Sequence, residues 1–248
     1  MKSSHDRPVA LVTGASLRVG AVIARALHAA GYDLALHYRN STTAARALAD
    51  ELEQQRGNST LLVQAELADV ATLPLLVEKV VTHFGRLDAL INNASTFYAT
   101  PVGDITPAQW DELFNANARG PLFLSQAAAP HLRASRGAIV NMADIYADRP
   151  LPDHTVYCMS KAALVMMTRS LAVELGPEVR VNAIAPGNVL WSTNPIKAET
   201  PATVEQRTTL QRQGSPDDIA SAVLYLLRDA GYCSGVVLPV DGGRLLHI

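Results

Sequence analysis

VALVTGASLRVG, residues 9 to 20, is the stretch that decides which fold this chain is predicted to adopt. It opens with an apolar run rich in β-branched residues, which is typical of a buried parallel strand. The run meets Gly14, and apolar residues at helical spacing follow over 19–31. A glycine turn between a strand and a helix lets the backbone approach a pyrophosphate at the helix N-terminus. Gly14 and Gly20 do not complete the pattern G-x-G-x-x-G that is typical of dinucleotide-binding turns. An ordinary tight turn between strand and helix is therefore the alternative.

The same alternation of short apolar runs and longer amphipathic stretches continues along the chain. Strands are predicted at 9–13, 34–38, 61–65, 88–94, 137–143, 179–185 and 235–240, and helices at 19–31, 43–56, 70–84, 106–135, 155–175 and 216–229. Strands that alternate with helices predict right-handed crossovers and a parallel sheet. The predicted fold is therefore α/β: a single-domain (1–248) Rossmann-type doubly wound parallel sheet of about seven strands with helices on both faces. The weakly patterned segment 187–215 is too long for an ordinary connection and is a candidate substrate lid.

Composition excludes several classes of function. The net charge of -2 gives no basic surface for nucleic acid or for an anionic membrane. No apolar run approaches the roughly 20 residues that span a bilayer, and no signal peptide is recognised at the start. Two cysteines favour a reducing compartment, so a cytoplasmic location is expected. The seven histidines are scattered without metal-ligand spacing, and we expect no metal site.

The end of the second predicted strand, HYRNS (37 to 41), indicates which dinucleotide would bind. A site that prefers NADH usually has Asp or Glu here to bind the ribose 2′-hydroxyl. Arg39, Asn40 and Ser41 stand here instead, and a guanidinium with nearby hydrogen-bond donors suits a phosphate. The segment favours NADPH, with a solvated basic loop as the alternative.

Tyr157 and Lys161 stand four residues apart in YCMSK (157 to 161) and share one face of a predicted helix. A neighbouring ammonium favours the tyrosinate, so we expect the pKa of Tyr157 to be lowered and its hydroxyl to transfer protons. Such a pair is common by chance, and an amphipathic surface pair is the alternative. The order of motifs favours a site, because Asp144 follows the fifth strand and parallel strand ends converge on one crevice.

Over nearly its whole length the chain resembles the short-chain dehydrogenase/reductase family. The motifs are TGASLRVG (13 to 20), NNA (92 to 94), Asn117, YCMSK (157 to 161), PG (186 to 187) and VDGG (240 to 243). The resemblance implies a nicotinamide-dependent oxidoreductase, with Asp144, Tyr157 and Lys161 as its catalytic residues. It also implies that Asn117 supports a water chain to Lys161, and that the protein is a homotetramer.

Three departures from the general family pattern resemble the pteridine reductases. They are Arg18 in the glycine turn, NNASTFYATP (92 to 101) in place of NNAG, and Asp144 where serine is usual. This resemblance implies NADPH-dependent reduction of dihydropterin and oxidised pterin to tetrahydropterin, and often of folates.

The resemblance also assigns binding residues. Substrate binding falls to Arg18, Ser95, Phe97, Asp144 and Tyr157, with Phe97 stacked on the pterin ring. Phe97 could instead be a core aromatic, and Asp144 a solvated carboxylate. The residues assigned to NADPH, by the glycine turn, by HYRNS and by this resemblance, are Gly14, Arg18, Val19, Gly20, Tyr38, Arg39, Asn40, Ser41, Glu66, Leu67, Asn93, Ala94, Ser95, Asn117, Tyr157, Lys161, Pro186 and Gly187.

Two other functions stay open at this point. One is a short-chain reductase that acts on a carbonyl, such as a 3-oxoacyl thioester; Asp144 and the NNASTFY segment argue against it. The other is a non-catalytic NADP(H)-sensing module, against which the complete set of Asp144, Tyr157 and Lys161 argues.

Overall fold

Seven parallel strands form one sheet in the order β3-β2-β1-β4-β5-β6-β7. The computed structural model describes residues 7–189 and 200–247. The strands are β1 (Val9–Val12), β2 (Asp33–Tyr38), β3 (Thr60–Gln64), β4 (Ala89–Asn92), β5 (Ala138–Met142), β6 (Arg180–Pro186) and β7 (Val237–Val240). Each strand predicted from the apolar runs is confirmed.

Helices cover both faces of the sheet. They are α1 (Arg18–Ala29), α2 (Thr42–Gln55), α3 (Leu73–Phe84), α4 (Pro107–Phe114), α5 (Gly120–Ser135), α6 (Thr155–Leu175), α7 (Pro201–Gln206) and α8 (Pro216–Arg228). Alternate residues of β1 point to opposite faces: Ala10 and Val12 join the core with α1, α2 and α8, and Val9 and Leu11 join the core with α3 and α5. The Rossmann-type doubly wound fold is confirmed.

The position of β1 and β4 at the centre of the sheet defines where a ligand can enter. From β1 the chain proceeds outward to β2 and β3, and then returns to place β4 on the other side of β1. Open parallel sheets bind ligands at this point of reversal, beyond the carboxyl ends of the strands. The glycine turn after β1, Asn93 after β4 and Asp144 after β5 all lie at this edge.

The long predicted helix 106–135 is one helical segment interrupted by a π turn at Asn115–Arg119. Its start is as expected, because Thr106 caps α4 and exchanges hydrogen bonds with Gln109. No sequence pattern predicted the π turn, which widens the helix at Asn117. π turns of this kind occur frequently at functional sites.

Part of the predicted lid 187–215 lies outside the described residues, namely 190–199. The described remainder contains the short helix α7 and a loop that returns to the C-terminal strand, where the N–H of Leu210 donates to the carbonyl of Gly242 at 3.0 Å. A lid function stays a prediction.

Among the described helices, only α6 has the length and the mean hydropathy, 1.2, that a membrane-spanning helix would need. This helix packs against β6 and α4 and buries Tyr157 and Lys161 against the sheet. Its apolar character therefore has a local cause in the packing of the domain.

Candidate active site

The glycine turn after β1 brings backbone groups into close contact. Gly14 has a φ of 61°, in the left-handed region that glycine adopts without strain. A Cβ on Gly20 would lie 2.1 Å from the carbonyl oxygen of Gly14, so no other residue fits there without movement. The N-cap residue Leu17 has no side-chain acceptor, which leaves the first N–H groups of α1 available to an anion.

Arg18 also lies in the left-handed region, with a φ of 54°. A non-glycine residue pays about 1–2 kcal/mol for that conformation. The side chain is exposed at the first position of α1. A strained and exposed arginine beside a phosphate-binding turn is consistent with a role towards a ligand.

Thr13, which sequence reasoning did not assign, fastens the turn to the end of β4. Its hydroxyl oxygen accepts the N–H groups of Asn93 and Ala94, both at 2.9 Å. The amide of Asn93 donates to the carbonyls of Thr13 at 2.8 Å and Gly14 at 3.2 Å. The turn and the NNA segment are thus one rigid unit.

The residues predicted to bind a 2′-phosphate lie at the start of α2. Ser41 is the N-cap residue of α2 and its hydroxyl does not cap the helix itself. The guanidinium of Arg39 is 3.4 Å from the carboxylate of Glu66, and both side chains are about half exposed. Exposed ion pairs of this kind contribute little, so Arg39 is free to exchange partners. Glu66, assigned to the adenine, therefore faces Arg39 in the structure.

Other residues predicted to bind the cofactor are buried or closely packed. The side chains of Tyr38 and Leu67 are buried, and Pro186 ends β6 in register with Val240. A Cβ on Gly187 would lie 2.8 Å from Asp241, so the chain after β6 packs closely against the C-terminal segment. Of the remaining residues assigned to the cofactor, Val19 packs against the core. Asn40 lies in the loop before α2, where its carbonyl accepts the N–H of Thr42.

Asp144, Tyr157 and Lys161 come together as predicted. The hydroxyl of Tyr157 donates to Oδ2 of Asp144 at 2.7 Å. Nζ of Lys161 donates to the carbonyl of Met142 at 2.8 Å and lies 5.7 Å from the centre of the Tyr157 ring. Oδ1 of Asp144 accepts the N–H of Tyr146 at 2.9 Å, which fixes the carboxylate at the start of a short 3₁₀ turn.

The expected lowering of the Tyr157 pKa is wrong. Burial, followed by the negative charge and hydrogen bond of Asp144, raises the pKa of Tyr157 well above 10. Burial also raises the pKa of Asp144, although its hydrogen bonds and the charge of Lys161 oppose the rise. The ammonium of Lys161 is directed at Met142 instead of the phenol oxygen. The pair therefore holds a proton at neutral pH, as a proton donor must.

Burial lowers the pKa of Lys161 from 10.5 to about 8, only partly opposed by Asp144. A lysine buried in this way costs the folded state about 3 kcal/mol below pH 8, and the cost disappears as the pH rises towards 10.5. Lys161→Met removes this cost but loses one hydrogen bond worth about 1 kcal/mol. We expect the free energy of unfolding to rise by about 2 kcal/mol at pH 7, measured by urea denaturation.

The increase in the free energy of unfolding caused by Lys161→Met should shrink and then vanish between pH 8 and pH 10.5, since wild-type Lys161 loses its charge there. Lys79→Met, on the exposed side of α3, should change stability by less than about 0.5 kcal/mol at every pH. A loss of stability at pH 7, or a gain that does not depend on pH, would contradict the account of Lys161.

Asn117 clamps the loop that carries Ser95 and Phe97. Its side-chain oxygen accepts the hydroxyl of Ser95 at 2.9 Å and the N–H of Thr96 at 3.0 Å. Its amide nitrogen donates to the carbonyl of Thr96 and the hydroxyl of Ser160, both at 3.0 Å. The side chain has no further bonding position. A water chain to Lys161, implied by resemblance, would thus have to use a backbone group of the π turn.

Phe97 stands at the mouth of the site and is 55% exposed. One face of its ring stacks on His154, with centroids 4.8 Å apart and 15° between the planes. Its ring also meets Tyr157 edge to face at 4.7 Å. His154 is buried, and its Nδ1 is 2.7 Å from the carbonyl oxygen of Pro152. Phe97 is therefore an aromatic platform supported by His154, with about half of its surface exposed.

Among residues 7–189 and 200–247, no three or more His, Cys, Asp or Glu side chains are grouped so that they could hold a metal ion. Asp144, Tyr157 and Lys161 supply a carboxyl, a phenol and an amine to the crevice. They suit proton transfer to a substrate held on the Phe97 side of the site.

Comparisons with known proteins agree with this geometry. A family model described as enoyl-(acyl carrier protein) reductase matches residues 14–244. Pteridine reductase 1 of Leishmania tarentolae is 38% identical over 288 aligned positions that cover 99% of each chain.

Two further relatives have names that refer to carbonyl substrates. A protein named as a ketoacyl reductase of the granaticin polyketide synthase, from Streptomyces violaceoruber, is 39% identical and covers 97% of each chain. A 3-oxoacyl-[acyl-carrier-protein] reductase of Staphylococcus aureus is 33% identical over 96% of this chain and 98% of its own. The fold, the motif order and these full-length matches agree: the chain is an oxidoreductase of the short-chain dehydrogenase/reductase family.

Proposed function

We propose that this protein is an NADPH-dependent pterin reductase that converts oxidised pterin and dihydropterin to tetrahydropterin, and that it also reduces dihydrofolate. One observation carries the proposal: the hydroxyl of Tyr157 donates to the carboxyl of Asp144 at 2.7 Å, and the ring of Tyr157 contacts the half-exposed ring of Phe97. A carboxyl and a phenol together can protonate a ring nitrogen, and an aromatic face suits a flat heterocycle. The relative from Leishmania tarentolae, named as a pteridine reductase, supports the same substrate.

The glycine turn fits the pyrophosphate of a dinucleotide. Gly14 and Gly20 let the turn pack closely against α1 and Ala94, and the uncapped N-terminus of α1 leaves its first N–H groups available to the pyrophosphate. Asn93 and Ala94, held by Thr13, line the same edge. At the nicotinamide end, Tyr157 and Lys161 would contact the ribose, and Pro186 with Gly187 would border the ring.

NADPH, when bound, supplies the hydride that is transferred to a ring carbon of the pterin. Tyr157 donates its proton to the adjacent ring nitrogen, so the carbon–nitrogen double bond becomes a single bond that carries one added hydrogen at each end. Asp144 accepts the hydrogen bond of Tyr157 and shares its proton. Lys161 places its charge beside the resulting tyrosinate and stabilises it.

The substrate ring is held by groups around this centre. Phe97 supports one face of the ring, and His154 behind it keeps the platform from rotating. Asn117 holds Ser95 and the backbone before Phe97 in place. Arg18, strained and exposed at the start of α1, would contact both the phosphate and the substrate side.

Arg39→Ala combined with Ser41→Ala should weaken NADPH binding by about a hundredfold or more, since each lost contact to a charged phosphate is worth about 1.5–3 kcal/mol. NADH binding should change less than about threefold, because NADH has no 2′-phosphate. Fluorescence titration of both cofactors checks this. The control is Arg46→Ala, which removes a charge from the exposed side of α2. Equal losses for NADPH and NADH would contradict the 2′-phosphate assignment.

A second candidate function is reduction of a carbonyl such as that of a 3-oxoacyl thioester. It is favoured by the relatives named as ketoacyl and 3-oxoacyl-[acyl-carrier-protein] reductases. The carboxyl of Asp144 bonded to Tyr157 counts against it, because a carbonyl oxygen needs one proton donor and the phenol supplies it. A non-catalytic sensor of NADP(H) has no need for a buried lysine with a lowered pKa.

The deciding experiment is steady-state NADPH oxidation with dihydrobiopterin, dihydrofolate and an acetoacetyl thioester. We expect dihydrobiopterin to give the highest kcat/KM and dihydrofolate to be turned over. Turnover of the thioester alone would replace the pterin proposal with the carbonyl one. Tight NADPH binding with no turnover across a broad panel would favour the sensor.

We also propose a cytoplasmic homotetramer. Both cysteines are free thiols, which suits a reducing compartment. Exposed apolar residues on α5 and α6, namely Leu122, Met159, Met166 and Val173, offer surface for contacts between subunits. Sedimentation equilibrium of the full chain should give four times the 26.5 kDa of one chain, and a monomer would contradict the proposal.

A further inference from the structure

His37 is a buried histidine on β2 that the proposed mechanism does not use. Its side chain is 2% exposed and lies between the glycine turn and the end of β3. The N–H of Gly14 donates to Nδ1 of His37 at 3.2 Å. On the other side of the ring, Nε2 lies 3.1 Å from the carbonyl oxygen of Ala65. The imidazole thus connects the turn after β1 to the chain just before Glu66.

These partners define the protonation state of the ring. Nδ1 receives an N–H group, so it must carry its lone pair. Nε2 faces a carbonyl oxygen, so it must carry the hydrogen. Only the neutral Nε2–H tautomer satisfies both contacts, because a proton on Nδ1 would face the N–H of Gly14 directly. The carbonyl of His37 also accepts the N–H of Ala15 at 2.9 Å, which gives the turn a second anchor on the same residue.

We propose, on the assignment of this turn to the pyrophosphate of NADPH, that the neutral imidazole of His37 is a positioning residue that holds Gly14 in its phosphate-binding conformation. Gly14 is in the left-handed region, and its neighbour Ala15 is fixed by the backbone of the same histidine. His37 itself would not contact the cofactor. It acts by orienting the turn, and a protonated ring would release it.

The charges around the ring set the pH range of this release. The turn presents backbone groups of Gly14 and Ala15, and the residue after β3 presents the carbonyl of Ala65. Glu66 lies next along the chain and favours the protonated ring, while Arg39, just after β2, is paired with Glu66. Burial outweighs Glu66 and lowers the pKa of His37, so the ring is neutral at pH 7 and becomes charged only in acid.

Two variants distinguish the loss of the hydrogen bond to Gly14 from the protonation of the His37 ring. His37→Leu removes the acceptor, and we expect the Kd for NADP⁺ at pH 7.5 to rise about tenfold, which is about 1.4 kcal/mol. His37→Gln retains an acceptor that does not titrate, so its Kd at pH 7.5 should stay within about threefold of wild type. Both are measured by calorimetry on the full chain, with thermal unfolding to confirm that each variant is folded.

His28 provides a matched control on α1. It is also buried, its Nε2 pairs with the hydroxyl of Ser59 at 2.9 Å, and burial likewise lowers its pKa. It lies on the last turn of α1, away from the glycine turn. His28→Gln should therefore change the melting temperature without changing the Kd for NADP⁺. If His37 is a positioning residue, substitution of His37 should change the Kd for NADP⁺ and substitution of His28 should not.

The pH profile gives the sharper test, because it needs no destabilising variant. The 2′-phosphate of NADP⁺ itself titrates near a pKa of about 6, so it weakens binding in acid in every variant. Wild type and His28→Gln should lose additional affinity as the pH falls from 7.5 to 5, and His37→Gln should lack this additional loss.

Parallel pH profiles for wild type and His37→Gln, together with a His37→Leu Kd no worse than that of His28→Gln, would overturn the proposal. Failure of pterin turnover with NADP⁺ binding intact would remove only the proposed function. Absence of NADP⁺ binding in wild type would remove both.

Discussion

Tyr157→Phe is expected to lower kcat for dihydropterin reduction by about a thousandfold, within the range of about 10²–10⁴ that general acid catalysis contributes. The substitution removes the hydroxyl that bonds Asp144 and leaves the ring, which packs against Phe97. The Kd for NADPH should stay within about tenfold, because a single neutral hydrogen bond contributes about 0.5–1.5 kcal/mol. Stopped-flow NADPH oxidation and fluorescence titration measure the two quantities.

Tyr225→Phe is the matched control for this prediction. Tyr225 lies on α8, is 48% exposed and is remote from the crevice. Its loss of a hydroxyl should leave kcat unchanged. An unchanged rate for Tyr157→Phe would show that another group provides the proton.

Asp144→Ser is expected to lower kcat for dihydropterin by about a hundredfold while a carbonyl substrate, if one is turned over, loses less than about threefold. Serine is the residue usual at this position in the family that the chain resembles. It can bond a carbonyl oxygen, but it cannot hold the proton that a carboxyl with a raised pKa shares with Tyr157. The ratio of kcat/KM for dihydrobiopterin and for acetoacetyl thioester reports the change.

Asp148→Ser controls for the loss of one negative charge near the site. Asp148 is exposed and follows the 3₁₀ turn that begins after Asp144. It should leave both substrates unaffected. If Asp144→Ser lowered the two activities equally, Asp144 would act by stabilising the fold or by orienting Tyr157 for any substrate. The assignment of a pterin substrate would then lose its main support.

The fold followed from local patterns because each strand and helix is specified within its own segment. The run VALVT meets Gly14 and forms β1 with its turn, and Thr106 caps α4 as its spacing indicated. The interruption at Asn115–Arg119 was not predictable in this way. It depends on close packing around Gly120, where a Cβ would lie 2.9 Å from carbonyl oxygens of Asn115 and Leu67. Leu67 is distant in sequence, so no local pattern encodes that contact.

In the candidate site too, some features could be predicted from the sequence and others depend on the folded structure. Motif order placed Asp144, Tyr157 and Lys161 together, and the structure brings them within contact of one another. The direction of the Tyr157 pKa could not be read from spacing, because it depends on how much water the fold removes from the phenol. His37 was missed for a related reason: one histidine in an apolar strand is indistinguishable by sequence from a satisfied core residue.

His154 shows that support for a functional side chain can come from a residue that looks peripheral. It lies three residues before Tyr157 in the sequence, and the structure pairs it with Thr100 in a β-bridge and stacks its ring on Phe97. The aromatic pair contributes about 0.5–1.5 kcal/mol beyond the area that it buries. That energy fixes the orientation of the platform before a substrate arrives.

The most direct test of the account is a crystal structure of the full chain with NADP⁺ and dihydrobiopterin. We expect the pterin ring to lie on the face of Phe97 opposite His154, with a ring nitrogen about 3 Å from the hydroxyl of Tyr157. Asp144 should still accept the hydrogen bond of Tyr157 or contact the ring edge directly. A pterin bound elsewhere, or an Asp144 side chain turned away from Tyr157, would contradict the account.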